Sequence, residues 1–262
     1  MEWKKDIEVI TPLFNRGAYQ ESPEVRVPSI RGMVRGWFRA LGGPPAEEKQ
    51  VFGGMKSFAG TNMVNASQLV FRVTNVNAKP ATPQVPTLPH KSSSEASPKA
   101  AFVPGATFSL QVFTRFGDLD ARLESKVINA LEVWLLLGAL GLRANRSGGN
   151  VWPRGAGAPA TSADLRASLT KFGCRWPVRL AGLEVGSTLD ELRKAATDTV
   201  AGPPEVFGCI KLYRMGSPLK FKIIRLDNQL RLIAYAADDQ VLNQAQGLLK
   251  GHRCKPETWT AI

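Results

Sequence analysis

Twice along this chain the residue pattern passes through strand, helix, strand, strand and helix, and that order constrains the fold more than any single motif does. In the first pass Glu8 to Phe14 reads as a strand closed by a Pro-containing turn. Ile30, Met33, Val34, Trp37, Phe38 and Leu41 then fall on one face of an α-helix, with Ser29 behind Pro28 as its N-cap and Gly42-Gly43-Pro44-Pro45 as its stop. Gln68 to Val76 and Thr107 to Phe116, rich in Val, Phe and Thr, read as strands, and Asp118 or Asp120 is placed to cap a long helix from Leu119 to about Leu140. In the second pass Pro177 to Ala181 is a short strand, and Ser187 to Val200 a helix with Thr188 and Glu191 as a capping box. Leu219 to Leu226 and Leu230 to Tyr235 are strands around Asp227-Asn228, and Asp238 to Leu249 is a last helix.

This order predicts an α+β fold of two tandem ferredoxin-like (βαββαβ) domains, a plan shared with RNA-recognition folds. The expected division is 1–160 and 161–262, and no residue-level repeat is evident between the halves. The first half carries two irregular segments. Residues 77–104, with Pro80, Pro83, Pro86, Pro89, Pro98 and Pro104 around Ser92-Ser93-Ser94, read as a long projecting insertion, and 138–157 as a Gly/Arg loop.

The charge balance narrows the partners. Lys and Arg outnumber Asp and Glu by 34 to 22, for a net charge of +12, which favours a polyanionic partner. The most apolar run, Val133 to Leu142, is half the roughly 20 residues a membrane helix needs, and the first residues hold no apolar leader. Membrane is therefore not expected as the partner, and nucleic acid is. Three widely spaced cysteines, Cys174, Cys209 and Cys254, give no disulfide framework, so the expected setting is reducing and cytoplasmic.

The acids are unevenly placed. Four stretches lack Asp and Glu yet carry several cations: 25–46, 133–163, 165–183 and 206–226. In the first, Arg31, Arg35 and Arg39 sit at i, i+4 and i+8 and form a ridge facing away from the apolar stripe, with no carboxylate at helical spacing to neutralise it. Arginine favours bidentate phosphate contacts. Trp37 and Phe38 lie on the stripe and read as core. In the second, Gly138 to Pro153 combines glycines, which let backbone approach a ligand, with Arg143 and Arg146 for phosphate charge and Asn145 and Ser147 as neutral donors. It is not a P-loop, since it follows a helix and lacks Gly-Lys-Ser/Thr, and the G-x-G-x-x-G order of a dinucleotide site is absent.

Thr11-Pro12-Leu13-Phe14, Pro28-Ser29-Ile30-Arg31-Gly32-Met33-Val34-Arg35-Gly36-Trp37-Phe38-Arg39-Ala40-Leu41, Phe52-Gly53-Gly54 and the Gly/Arg loop together resemble the RAMP superfamily of CRISPR-associated proteins, in particular the first subunits of type III-B (Cmr) RNA-targeting effector complexes. The resemblance covers 8–54 and 131–152, with a weaker echo from Arg214 to Phe221. Ala139 stands where a second glycine is usual, and Ala144-Asn145 separates Arg143 from Arg146. What the resemblance implies is an RNA-binding, non-catalytic subunit that contacts guide RNA near its 3′ end and helps capture target RNA in antiviral defence, beside other Cmr subunits. Carried onto this sequence, the RNA-binding candidates are Arg31, Arg35, Arg39, Arg143, Asn145, Arg146, Gly148 and Gly149.

No catalytic constellation stands out, and neither metal nor cofactor is expected. His90 lies in the proline-rich insertion and His252 beside Cys254, so a histidine pair forms only through long-range folding. Asp238-Asp239 reads as a helix cap rather than a cation site. The alternatives are a RAMP-type endoribonuclease that processes guide RNA, and an architectural subunit whose basic faces meet acidic partners.

Overall fold

The computed structural model describes residues 1–19, 21–58, 61–115, 117–198, 202–209, 215–249 and 258–262, with backbone only at 56–58 and 61–63. His252, Cys254 and Arg214 lie outside them. The first half runs β1 (Glu2–Val9), α1 (Val27–Ala40), α2 (Pro45–Phe52), β2 (Gly54–Phe58), β3 (Thr61–Asn65), β4 (Leu69–Asn77), β5 (Val85–Pro86), β6 (Pro98–Lys99), β7 (Thr107–Thr114), α3 (Ala121–Leu137) and β8 (Val151–Pro153). The second half runs α4 (Ser162–Lys171), β9 (Val178–Ala181), α5 (Leu189–Thr197), α6 (Pro204–Phe207), β10 (Lys220–Leu226), β11 (Gln229–Tyr235), α7 (Asp239–Leu249) and β12 (Trp259–Ala261).

The architecture is mixed α+β with two four-stranded antiparallel sheets. Their orders are β4-β7-β1-β8 and β10-β11-β9-β12. With α1 and α3, or α5 and α7, as the intervening helices, both orders reduce to second, third, first and fourth strand of a β-α-β-β-α-β unit. One apolar core runs through both halves, from Ile7, Leu110 and Trp134 to Phe221 and Ile223.

Local chemistry accounts for most helix ends. The Asp120 side chain accepts the Leu123 N–H at 2.9 Å, and Thr188 with Glu191 forms the expected capping box. A second box, Thr161 with Asp164, starts α4, which the sequence reading omits. Two boundaries differ from expectation. The first strand is Glu2–Val9 rather than Glu8 to Phe14, because Leu13 makes only an isolated bridge, to Phe102. Helix α1 begins at Val27, so Ser29 lies inside it and its hydroxyl instead meets Asn15 Oδ1 at 3.2 Å.

The proline-rich insertion does not project. Ala96, Ala100, Ala101 and Phe102 are buried in it, its β5 and β6 pair, and it lies against α5 of the second half. There Pro86 O accepts from Arg193 Nη2 at 2.7 Å and His90 Nδ1 meets Thr197 Oγ1 at 2.9 Å.

A residue-level repeat does link the halves. Pro44-Pro45 and Pro203-Pro204 open α2 and α6, which end in Val51-Phe52-Gly53 and Val206-Phe207-Gly208. Gly53 has φ 75° and Gly208 φ 77°, and a Cβ on either would stand 2.6 Å from a backbone oxygen, of Asn65 or Met215, so neither tolerates a side chain. The Ser67 hydroxyl is within reach of Val51 O and Leu69 O, both at 3.1 Å. The Ser217 hydroxyl repeats this with Val206 O at 3.3 Å and Leu219 O at 2.6 Å.

The halves are joined along one strand edge. β10 is an edge strand of the second sheet, and residues 145–150 of the first half cover that edge. The Phe221 N–H donates to Asn145 O at 3.1 Å, the Ser147 N–H donates to Phe221 O at 3.2 Å, and the Ile223 N–H donates to Asn150 Oδ1 at 2.7 Å. On β10, Lys222 is fully buried. Its Nζ donates to Leu135 O at 2.6 Å and sits 5.5 Å from the centre of the Trp152 ring, and burial holds the amine well below its ordinary pKa. Asn150 is fully buried, and Asn150→Ala strands the Ile223 N–H without its acceptor. The expected cost is about 1–3 kcal/mol, read as a lower urea midpoint at unchanged slope.

Candidate nucleic-acid interface

The four acid-free stretches, far apart in sequence, meet at one groove. It encloses about 270 Å³ and is lined by Gly32, Met33, Gly36, Trp37 and Ala40 of α1, by Gly138, Ala139, Ala144 and Asn145 of the Gly/Arg loop, and by Trp176, Lys220 and Tyr235 of the second half. All but Tyr235 come from those stretches, and no carboxylate is among them. Trp37, Trp176 and Tyr235 form an aromatic floor, with ring centres 4.9 Å apart for the two tryptophans and 6.3 and 6.2 Å from each to the tyrosine.

The helical arginines lie beside this groove and are partly neutralised. Arg31 donates to Phe52 O, Arg35 pairs with Glu48, and Arg39 Nε stands 3.6 Å from the other Glu48 oxygen. Glu48 comes from α2, outside helical spacing, so the ridge has a carboxylate that sequence spacing does not show. Arg39 remains the open member, its side chain 59% exposed.

The Gly/Arg loop is shaped by its own packing. Arg143 (φ 59°) places its carbonyl to accept the N–H groups of Arg146 at 2.7 Å and Gly148 at 2.9 Å. A Cβ on Gly149 (φ 59°) would stand 2.0 Å from Leu140 O, and one on Gly148 2.5 Å from Leu142 O, so these buried glycines serve the close packing of the loop rather than a ligand's approach. Arg146 is turned inward. Its Nη1 donates to Leu219 O and its Nη2 to Ser217 Oγ, both at 2.9 Å, with the guanidinium 5.6 Å from the Phe221 ring centre. Asn145 offers its carbonyl to β10 and lines the groove. Arg143 is exposed.

Lys220, absent from the RNA-binding candidates, is the groove's own cation. Its Nζ donates to Ser217 O at 2.9 Å, and burial, with the Arg146 charge adding, brings its pKa from 10.5 to about 8. Burial and the Arg143 charge likewise bring Arg146 to about 10. Among the described residues no carboxylate pairs with Arg143, Arg146 or Lys220, and such a cluster of like charges is relieved by an anion from outside. The signal in the sequence was the acid-free stretch 206–226; Trp176 lies in 165–183.

Other chemistry is sparse. Among the described residues no three His, Cys, Asp or Glu side chains gather so as to hold a metal ion, and no helix is long and apolar enough to cross a membrane. The Asp238 side chain accepts the Gln240 N–H at 2.8 Å as a cap, and Asp239 pairs with Arg179 at 2.8 Å.

Comparison with known proteins shows similarity in sequence and in fold. The model of the RAMP superfamily matches residues 6–152. A stretch of 38 residues, 14% of the chain, is 58% identical to the CRISPR system Cmr subunit Cmr1-2 of Pyrococcus furiosus, and spans 20% of that relative's length. The fold is similar to the crystal structure of Cmr1 from Pyrococcus furiosus in its apo form, with TM-score 0.59 and 19% identity over 90% of this chain and 87% of that one. It is also similar to a chain in the cryo-EM structure of the type III-B Cmr-beta complex bound to cognate target RNA, with TM-score 0.50 and 11% identity over 89% and 93%.

Lys220 makes the groove sensitive to pH. Its depressed pKa means that between pH 8 and 10.5 the folded chain holds fewer protons than the unfolded one, so this group's destabilisation, full below pH 8, is relieved as pH rises. In the folded chain its charge is lost as pH rises through about 8. Affinity for a labelled polyanion such as heparin, followed by fluorescence anisotropy, is expected to fall from pH 7 to pH 9, and Lys220→Arg to flatten that fall.

Proposed function

This chain belongs to the RAMP superfamily, and from that premise we propose that it is an RNA-binding, non-catalytic subunit of a type III-B (Cmr) CRISPR effector complex. In this reading it works in the cytoplasm beside other Cmr subunits, contacts guide RNA near its 3′ end and helps capture target RNA. Its halves, 1–160 and 161–262, are two tandem ferredoxin-like domains, a reading supported by their shared strand order and by the repeated Val-Phe-Gly and Ser clasp.

The observation that carries the proposal is the convergence of four acid-free segments on one groove at which Lys220, Arg143 and Arg146 have no carboxylate partner among the described residues. A surface meant for an acidic protein would need only exposed Lys and Arg. Here an aromatic floor adjoins the charge, which is the combination that single-stranded nucleic acid uses: stacking for bases and cations for phosphates. Arg143 and Arg39 are the phosphate contacts we assign first, with Arg31 and Arg35 held closer to the protein and Arg146 positioning the loop.

The guide-processing nuclease has less support. Of the two histidines His90 is held against α5 at Thr197, away from the residues that line the groove. Incubation of the purified chain with a repeat-containing RNA is expected to give no product; cleavage abolished by His90→Ala or His252→Ala would establish the enzyme. Crosslinking of RNA to this subunit inside the assembled complex, with peptide mapping, separates RNA binding from a purely architectural role and is expected to mark 31–39 and 143–146.

Each phosphate neutralised on a single strand contributes about 0.7 to the slope of log affinity against log salt. Arg39→Ala combined with Arg143→Ala is therefore expected to flatten the slope for single-stranded RNA by about 1.4. An unchanged slope removes both from the interface.

A further inference from the structure

The strand edge that residues 145–150 close on β10 occurs a second time in the molecule, and there it is open. Aligned on their serines, Ser67-Gln68-Leu69-Val70-Phe71-Arg72-Val73 and Ser217-Pro218-Leu219-Lys220-Phe221-Lys222-Ile223 share Ser, Leu and Phe and match Arg with Lys and Val with Ile. β4 and β10 also hold the same place, each the outermost strand at the same end of its sheet. Bonded pairs alternate along an antiparallel ladder. The Arg115 N–H donates to Gln68 O at 2.6 Å and the Thr114 N–H to Met1 O at 3.3 Å, so Val70, Arg72 and Thr74 bond to β7 while the N–H and C=O groups of Phe71 and Val73 point away from it. Among the described residues nothing bonds to them. Their counterparts are Phe221 and Ile223, the residues that 145–150 engages on β10. Sheets keep exposed edges short or covered. β8 and β12 have three residues each and β10 is covered, which leaves β4, with nine, as the long open edge among the described residues.

We propose that the β4 edge docks an extended, arginine-bearing loop of a neighbouring RAMP-fold subunit, bonded to Phe71 and Val73 as 145–150 is bonded to Phe221 and Ile223. The proposal rests on the reading of this chain as an effector-complex subunit and adds the surface, its occupant and their register. The occupant is identified by the joint inside the chain. There the segment on β10 comes from the loop behind α3 of the other half, bridges Phe221 in parallel orientation, and sends the Arg146 guanidinium to Leu219 O and Ser217 Oγ, both at 2.9 Å. Leu69 O and Ser67 Oγ stand at the matching places on β4, 3.1 Å from each other, so an incoming arginine finds the same two acceptors. Beside them a cleft of about 620 Å³ opens between α2 and residues 64–68, and Gln68 on its wall has its Oε1 buried without a partner. RNA has no alternating N–H and C=O groups with which to extend a sheet, whereas a polypeptide strand does. The cleft lining also holds one cation, Lys49, against one carboxylate, Glu47, and so offers no excess of positive charge to a polyanion. A joint that links two halves within the chain in this way repeats between chains as a heterologous contact, which continues from one RAMP unit to the next.

The test uses the full chain, alone and in the effector complex assembled with its other subunits. Hydrogen exchange of the Phe71 and Val73 amides is expected to be fast in the free chain, where Phe221 and Ile223 are protected, and to be lost on assembly. Val73→Pro removes an N–H that points away from β7 and so breaks no bond within the sheet. It is expected to reduce retention of the chain in the complex while leaving the RNA affinity of the isolated chain unchanged, since no residue of β4 lines the groove. A photo-crosslinking residue in place of the exposed Arg72 is expected to join the glycine-rich loop of a neighbouring subunit, mapped by mass spectrometry. Unprotected amides in a complex that contains the chain overturn the docking and leave the subunit reading standing. A chain that never enters the complex overturns both. If the thermal midpoint shows that Val73→Pro does not fold, the crosslink decides alone: a loop of another RAMP-fold subunit supports the proposal, and RNA, a second copy of this chain, any other element or no product overturns it.

Discussion

The free edge of β10 is the constraint on which the rest of this structure depends. Its inner residues are buried, so the N–H and C=O groups along its unpaired edge have no access to water and must find partners within the chain. Residues 145–150 supply them from the other half, through two backbone bonds and the Asn150 side chain. Closing that edge fixes the Gly/Arg loop in space, and with it the distance from α1 to Trp176 and Lys220. The groove exists because a structural obligation of one sheet is met by the segment that carries the charge of the other. Lys222 belongs to the same joint. An amine buried beside apolar residues is tolerated where it gives up its charge or its bonds are met, and Leu135 O and the Trp152 ring are what the first half offers it.

Arg146 illustrates how position changes a residue's meaning. Sequence reading grouped it with Arg143, because the two are three residues apart in a glycine-rich stretch. The left-handed turn at Arg143 sends them in different directions, Arg143 outward and Arg146 under the loop to Leu219 O and Ser217 Oγ. Gly148 and Gly149 are also internal. Their lack of side chains is used up by Leu142 O and Leu140 O, and of the glycines lining the groove those with space left over are Gly32 and Gly36 on α1. A glycine's purpose is legible only when its surroundings are known, since the same residue serves a tight turn, a close contact or an open face.

Much of the fold was legible because it follows from short-range pattern. The apolar stripe of α1, the Asp120 cap and the Thr188 and Glu191 box are local, and so are the alternating strands from 69 onward. What escaped was long-range or disguised by punctuation. Helix α2 lies between Pro44-Pro45 and Gly53-Gly54, where breakers mask eight helical residues, and its Glu48 then neutralises a ridge that spacing along α1 declared open. The proline-rich insertion looked unfoldable alone and is ordered by α5. The internal repeat was hidden by unequal gaps, since Ser67 follows Gly53 by 14 positions and Ser217 follows Gly208 by 9. The acid-free stretches were legible, and their convergence was not, because convergence is a property of topology.

That convergence changes what the net charge of +12 means. Charge spread evenly over a surface raises solubility and non-specific attraction, and each cation is screened within about 8 Å at physiological salt. Many cations here are neutralised in pairs, Arg35 with Glu48, Arg225 with Glu8 at 3.0 Å, Arg122 and Lys126 with Glu47 at 2.7 and 2.6 Å, which leaves the net excess on other residues. Arg143, Arg146 and Lys220 have no carboxylate partner among the described residues, and beyond the effect of burial the Arg143 charge lowers the proton affinity of Arg146 and the Arg146 charge that of Lys220. Such mutual repulsion is destabilising in the free chain, and the bonds that hold it in place are to backbone carbonyls and one serine, groups that position a cation without neutralising it. In the RNA-binding reading proposed above, an arriving phosphate relieves that repulsion. In that reading binding at the groove is strengthened by the cost the empty groove carries, which a surface of neutralised pairs such as Arg35 with Glu48 cannot offer.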